Sequence, residues 1–306
     1  MELFELTVLG SGSATPSLIR NPSAQLLNAA GHYFLIDCGE GTQVQLRRNS
    51  LKLQRIGCIL ISHLHGDHYF GLMGLLQTMH LLGRQAKVTL ICPPELKEII
   101  DIQNKHSQTG LTFPLEYIFT DVEGEKKVYE DKQVEIYSFP LNHRIKCTGF
   151  LFREKLGMRK IVKEKLQQKK ISVAEIHNLR LGLDVHDEDG KLVKNEELTL
   201  APEAPRSFAY CSDTIHDENI VPYIKHVDLL YHESTFLETE LDRAKKTFHT
   251  TARQAASIAK MAEAEQLLIG HFSARYGDTA PFQEEARSIF ENTLLAEEGR
   301  TYKIGG

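Results

Sequence analysis

Ile56-Gly57-Cys58-Ile59-Leu60-Ile61-Ser62-His63-Leu64-His65-Gly66-Asp67-His68 decides how the rest of the chain is read. Its first six residues are almost continuously apolar, the pattern of a strand covered on both faces. Three imidazoles and a carboxylate follow at once. Histidine offers neutral nitrogen donors and aspartate a hard oxygen, a set that suits zinc at a site left open to water. Side chains in so tight a turn diverge, so neighbouring residues can serve two ions. Gly66 permits backbone conformations that a larger residue resists.

Outward from this stretch, strands and helices alternate. Strand patterns cover Phe4 to Leu9, Tyr33 to Asp37 and Val88 to Cys92. Phe70 to Leu82 reads as a buried helix, and Pro94 suits the first turn of another. In the second half, strands are expected at Ser207 to Cys211, Val227 to Tyr231 and Leu267 to Gly270, with a helix over Thr250 to Ala262. This alternation predicts an α/β fold of two sheets between helical layers. Ionisable residues recur at strand ends, where such folds place ligands. Residues 152–200 break the pattern. They are charged and poor in β-branched runs, and they read as an insertion into a single domain spanning 1–306.

Composition bounds the function. The net charge of −5 excludes a surface that binds nucleic acid as a whole, so any such contact needs a local basic patch. The insertion supplies one, with Arg153, Lys155, Arg159, Lys160, Lys163, Lys165, Lys169 and Lys170. Five scattered cysteines without CxxC pairs predict reduced, buried thiols rather than a disulfide framework. The opening Met1 to Leu6 lacks a basic region and a long apolar run, and no later run is long enough for a bilayer. A cytoplasmic protein with no membrane partner is expected.

The HxHxDH cluster after an apolar strand resembles the metallo-β-lactamase superfamily. Further matches follow it in order: His143 after Val134 to Phe139, Asp213 after Ser207 to Cys211, and His271 after Leu267 to Gly270. The resemblance implies an αββα sandwich with a protruding substrate-binding arm. It implies two zinc ions per chain, one held by His63, His65 and His143 and the other by Asp67, His68 and His271. Asp213 and a water or hydroxide would bridge them.

Within that superfamily, four segments resemble tRNase Z: Gly10-Ser11-Gly12-Ser13-Ala14-Thr15-Pro16 with Arg20-Asn21; Phe34 to Gln43 with Gln45 to Arg48; His232-Glu233-Ser234-Thr235-Phe236 with His249-Thr250-Thr251; and Gly270 to Tyr276. The chain departs from that family at Leu18, where a basic residue is usual. It departs again at Leu181 to Val185, where the arm usually carries a Gly/Pro-rich tip. The resemblance implies an endoribonuclease that removes the 3′ trailer of precursor tRNA, leaving a 3′-OH and a 5′-phosphate, and that works as a homodimer. His249 poised by Glu233 would be the general acid, and Asp67 would accept the proton of water. Arg20, Asn21, Arg275, Arg159 and Lys160 are the candidate RNA contacts. Two rivals are a small-phosphodiester or arylsulfatase-like hydrolase of the same superfamily and a non-catalytic, metal-stabilised RNA-binding module. The first gives no reason for a basic insertion, and the second gives none for His249 and Glu233.

Overall fold

The computed structural model describes residues 3–120 and 123–305. Met1 and Glu2, part of the N-terminal stretch considered above, lie outside them. The chain forms two compact units, one of residues 1–153 with 206–306 and one of Glu154–Pro205.

The larger unit is built on two seven-stranded sheets. The first runs in the order Thr301–Lys303, Phe4–Gly10, Ala24–Ala29, His32–Ile36, Ile56–Leu60, Val88–Cys92, Leu115–Phe119. The second runs Thr293–Leu295, Leu267–Gly270, Leu229–Glu233, Ser207–Cys211, Cys147–Glu154, Val134–Leu141, Lys126–Glu130. Ile56–Leu60 is parallel to both its neighbours and sends side chains into two cores, which explains its unbroken apolar run.

Phe4, Leu6, Phe34 and Ile36 of the first sheet share one core with Phe150, Phe208, Tyr210 and Leu229 of the second, so the sheets pack face to face. The outer face of the first sheet is covered by the helices Leu72–Leu81 and Glu95–Ser107, which bury Leu72, Leu76, Leu96 and Ile100. The outer face of the second takes Ala252–Met261 and Ala280–Arg287. Ala252, Ala255, Ala256 and Ala259 give the first of these a small-residue face that lies close to the sheet. Its start is fixed by a capping box, Thr251 and Gln254 each accepting from the other's main-chain N–H. This is the expected αββα arrangement.

Two boundaries differ from the sequence reading. The strand expected over Val227 to Tyr231 is Leu229–Glu233, because its parallel pairing continues to Glu233 opposite Gly270. His232 and Glu233 therefore lie inside a buried strand end. The expected start of the insertion at Phe152 falls within Cys147–Glu154. Phe152 is buried in the inter-sheet core, and Arg153 pairs with Ser207 and stacks over Tyr137 at 5.2 Å.

The smaller unit contains the short helices Lys163–Gln167, Val173–Arg180 and Asn195–Leu198 and two two-stranded ribbons. Its core is Leu179, Val185, Val193 and Leu198. Buried Asn195 organises it, donating from Nδ2 to the carbonyls of Leu179 and Leu183. Lys160, Lys163, Lys165 and Lys170 are exposed on it. Among the described residues no helix is long and apolar enough to cross a membrane.

Candidate metal centre

The first-sheet strands His32–Ile36 and Ile56–Leu60 end at Asp37 and Ser62-His63. In the second sheet, Ser207–Cys211, Leu229–Glu233 and Leu267–Gly270 end at Asp213, Glu233 and His271. Parallel strands in register deliver these side chains to one edge of the sandwich.

All seven residues read as metal ligands meet there, in two groups. In one, His63 Nε2 lies 3.0 Å from His65 Nδ1, and His143 Nε2 lies 3.2 Å from the same atom. Asp213 Oδ2 faces this group, 3.6 Å from His63 Nε2 and 3.8 Å from His143 Nε2. In the other, Asp67 Oδ2 is 3.4 Å from both His68 Nε2 and His271 Nε2. Asp213 Oδ1 faces those nitrogens at 3.3 Å and 3.2 Å. Asp213 thus divides its two oxygens between the groups.

The donor set fits divalent cations. Ligands about 2.0–2.1 Å from a tetrahedral ion stand roughly 3.3 Å apart, which is the spacing found here. His68 Nε2 and Asp213 Oδ1 are buried without a hydrogen-bond partner among the described residues, a costly arrangement unless something charged sits between them. Burial, reinforced by the neighbouring imidazoles, pushes His63 well below the usual histidine range. Burial also lowers His65 and His143, outweighing the pull of Asp213. These rings are therefore neutral and able to ligate. At His68 burial acts the same way, but Asp213, Asp67 and Asp37 outweigh it and raise the ring well above that range.

Four of the rings are held from behind, which leaves Nε2 aimed at the centre. His68 Nδ1 meets Asp37 Oδ2 at 2.8 Å, His63 Nδ1 meets Ser62 Oγ at 3.0 Å, and His271 Nδ1 meets Thr235 Oγ1 at 2.9 Å. His143 Nδ1 donates to the carbonyl of Phe248 at 2.9 Å, which Phe248 presents from a left-handed conformation, φ 61°, at the end of the helix Leu241–Thr247. Asp37 also accepts from Ser62 N and Oγ and from the Tyr210 hydroxyl. Sequence reasoning passed over Asp37, Thr235 and Phe248 as site residues. The only signal for Asp37 was an acidic residue closing an apolar strand.

His249 stands beside the two groups, its Nδ1 2.9 Å from Glu233 Oε1 and 4.0 Å from Asp213 Oδ2. Glu233 is fully buried and accepts from Thr235 N, Thr235 Oγ1 and Thr250 N. Burial opposes charge on His249, but Glu233 and Asp213 prevail and lift it to about 9. Its ring lines a cavity of about 560 Å³ together with Ser13, Ala14, Glu40, Phe70 and Arg144.

The candidate RNA contacts are not brought together. Arg20 requires a correction. It is buried, and one terminal nitrogen donates to the carbonyls of Ser273 and Tyr276, because the loop that carries it folds inward. Asn21 likewise spends its main-chain N–H and its Nδ2 on Glu298. Arg275 pairs with Glu240 at 3.1 Å over the Phe236 ring. Arg159 and Lys160 belong to the smaller unit. Arg159 Nε donates to Thr199 Oγ1, and Lys160 is exposed.

A two-sheet sandwich with this His/Asp cluster at its strand ends is a metal-dependent hydrolase of the metallo-β-lactamase superfamily. Residues 4–159 match the family described as "Anti-Pycsar protein Apyc1". Over nearly the full length the relatives are more specific. The chain is 53% identical to "Ribonuclease Z" of Cytophaga hutchinsonii, covering 98% of this chain and 96% of that one. It is 45% identical to "Ribonuclease Z" of Bacteroides fragilis, covering 97% and 98%. The crystal structure of the short form of human tRNase Z superposes with a TM-score of 0.71 at 28% identity, covering 98% and 99%. The chain belongs to the ribonuclease Z family, the endonucleases that process the 3′ end of tRNA.

Proposed function

We propose that this chain holds two zinc ions, one between His63, His65 and His143 and one between Asp67, His68 and His271, with Asp213 shared. In that reading it removes the 3′ trailer from precursor tRNA and leaves a 3′-OH on the tRNA and a 5′-phosphate on the trailer. The observation that carries the reading is the division of Asp213 between two donor groups whose spacing suits tetrahedral ions.

Bound in pairs, such cations supply Lewis-acid charge for the phosphate oxygens and make water a stronger acid. The chain's own residues do the rest. Asp67, at the cavity wall, takes the proton from the attacking water. The water oxygen bonds to phosphorus, and the bond from phosphorus to the 3′ oxygen of the tRNA breaks. That oxygen leaves with a proton from His249, which Glu233 keeps charged and oriented. The proton held by Asp67 passes through cavity water to His249, which restores both groups before the next turnover.

The smaller unit, 154–205, acts as an arm that grips tRNA by its phosphates, with exposed Lys160, Lys163, Lys165 and Lys170 as contacts. The active form is a homodimer working in the cytoplasm. Metal analysis tests the central part. Active protein should carry about two zinc equivalents per chain, as a two-metal site requires, and fully active protein with none contradicts the reading.

A further inference from the structure

The loop between Gly10 and Asn21 lies over the centre. Its base is clamped by a carboxylate almost three hundred residues away. Glu298 Oε1 accepts from Ser11 N at 3.2 Å and Asn21 N at 2.6 Å, and Oε2 accepts from Asn21 Nδ2 at 2.5 Å. One side chain therefore holds both ends of the loop. Buried Arg20 ties the same base to the segment after His271, through the carbonyls of Ser273 and Tyr276. Ser11 O accepts from Phe272 N, the residue after His271, at 2.8 Å.

Beyond this base the loop is exposed at Ala14, Thr15, Pro16, Leu18 and Ile19. Its one inward hydrogen bond to the centre comes from Ala14, whose N–H donates to Asp67 Oδ2 at 2.7 Å. Ala14 adopts φ 57° to do so, a left-handed conformation that an alanine avoids unless its surroundings impose it. The same Oδ2 faces His68 and His271. The Ala14 N–H thereby occupies one lone-pair direction of that oxygen and leaves the other for the group of donors.

We propose that Glu298 is a positioning residue for Asp67. By clamping Ser11 and Asn21 it holds Ala14 in its strained conformation, and Ala14 turns the Asp67 carboxylate toward His68 and His271. The inference rests on the two-cation reading above. Loss of the clamp weakens the Asp67 site selectively. The His63, His65 and His143 group, anchored by Ser62 and Phe248, is unaffected.

Zinc titration of the metal-free full-length chain by calorimetry tests it, with Asp67→Ala marking which binding event belongs to the Asp67 group. In Glu298→Gln and Glu298→Ala that event should weaken about tenfold, the low end for loss of an outer-shell partner, and the other event should not move. Hydrogen exchange of the Ala14 amide should quicken in the same variants. If Glu298→Ala does not fold, Asn21→Ala, which removes one clamp contact, should give the same selective loss in smaller measure. Two unchanged events, or two events weakened equally, overturn the proposal. A wild-type chain with fewer than two events defeats the two-cation reading instead, so the failures are distinguishable.

Discussion

Glu233 Oε1 lies 2.9 Å from Nδ1 of His249, and the carboxylate that makes this contact is wholly buried. His249 is also near enough to Asp213 and His271 to complete a third group of donors. Substitution of His249 therefore separates an acid from a ligand. As an acid, His249→Ala keeps both zinc ions and precursor binding and slows cleavage by about 10²–10⁴-fold, the scale for a lost general acid. A substrate with a better leaving group partly restores the rate. Loss of zinc from the variant would make His249 a ligand.

In the proposed mechanism the same pair sets a pH limit, because His249 donates only while protonated. Burial lowers the ring, but in the metal-free chain Glu233 and Asp213 prevail and hold it at about 9. Bound cations oppose that charge, so the alkaline limb of activity in the zinc-loaded enzyme should lie below that value. In Glu233→Gln the negative charge is gone and the imidazolium is less stable, so the alkaline limb of the rate profile moves to lower pH. A limb that stays in place would assign it to another group.

Asp37 is buried and takes hydrogen bonds from Ser62 N and Oγ, Tyr210 Oη and His68 Nδ1. Asp37→Asn should weaken zinc at the Asp67, His68 and His271 group by about 10–100-fold, since the ring loses its orienting acceptor. Competition with a chelator reads this directly. Unchanged retention would show that His68 needs no support from behind.

The exposed lysines of the 154–205 unit predict a salt effect. Each phosphate they neutralise releases counterions, so precursor affinity should fall steeply with salt. Reversing Lys160, Lys163 and Lys165 should weaken precursor binding and flatten that dependence. Hydrolysis of a small chromogenic phosphodiester should persist. Equal precursor affinity in the variant would place the tRNA contacts elsewhere.

Much of this centre is legible in the chain because its signals are local. An apolar strand buried on both faces and a ligand cluster at its end are adjacent in sequence, and the family resemblance then picks out His143, Asp213 and His271, each after a strand. What could not be read depends on contacts between distant segments. Asp37 is thirty-one positions from His68, and Phe248 is one hundred and five from His143. Phe248 acts through a carbonyl, which no side-chain pattern reports. Arg20 misleads for the opposite reason. The resemblance makes it a candidate RNA contact, yet the fold turns it inward onto two carbonyls. The sequence ends the strand Leu229–Glu233 at Tyr231, two residues early, because polar His232 and Glu233 hide a pairing that continues to Gly270.

Mapping the ends of one labelled precursor tRNA after incubation with metal-free and zinc-restored protein shows whether the metal centre makes the cut. The metal-free chain should make none. With zinc restored there should be a single cut at the start of the trailer, with a 3′-OH on the tRNA and a 5′-phosphate on the trailer. Cleavage without metal, or a cyclic phosphate at the tRNA end, would contradict the proposed function.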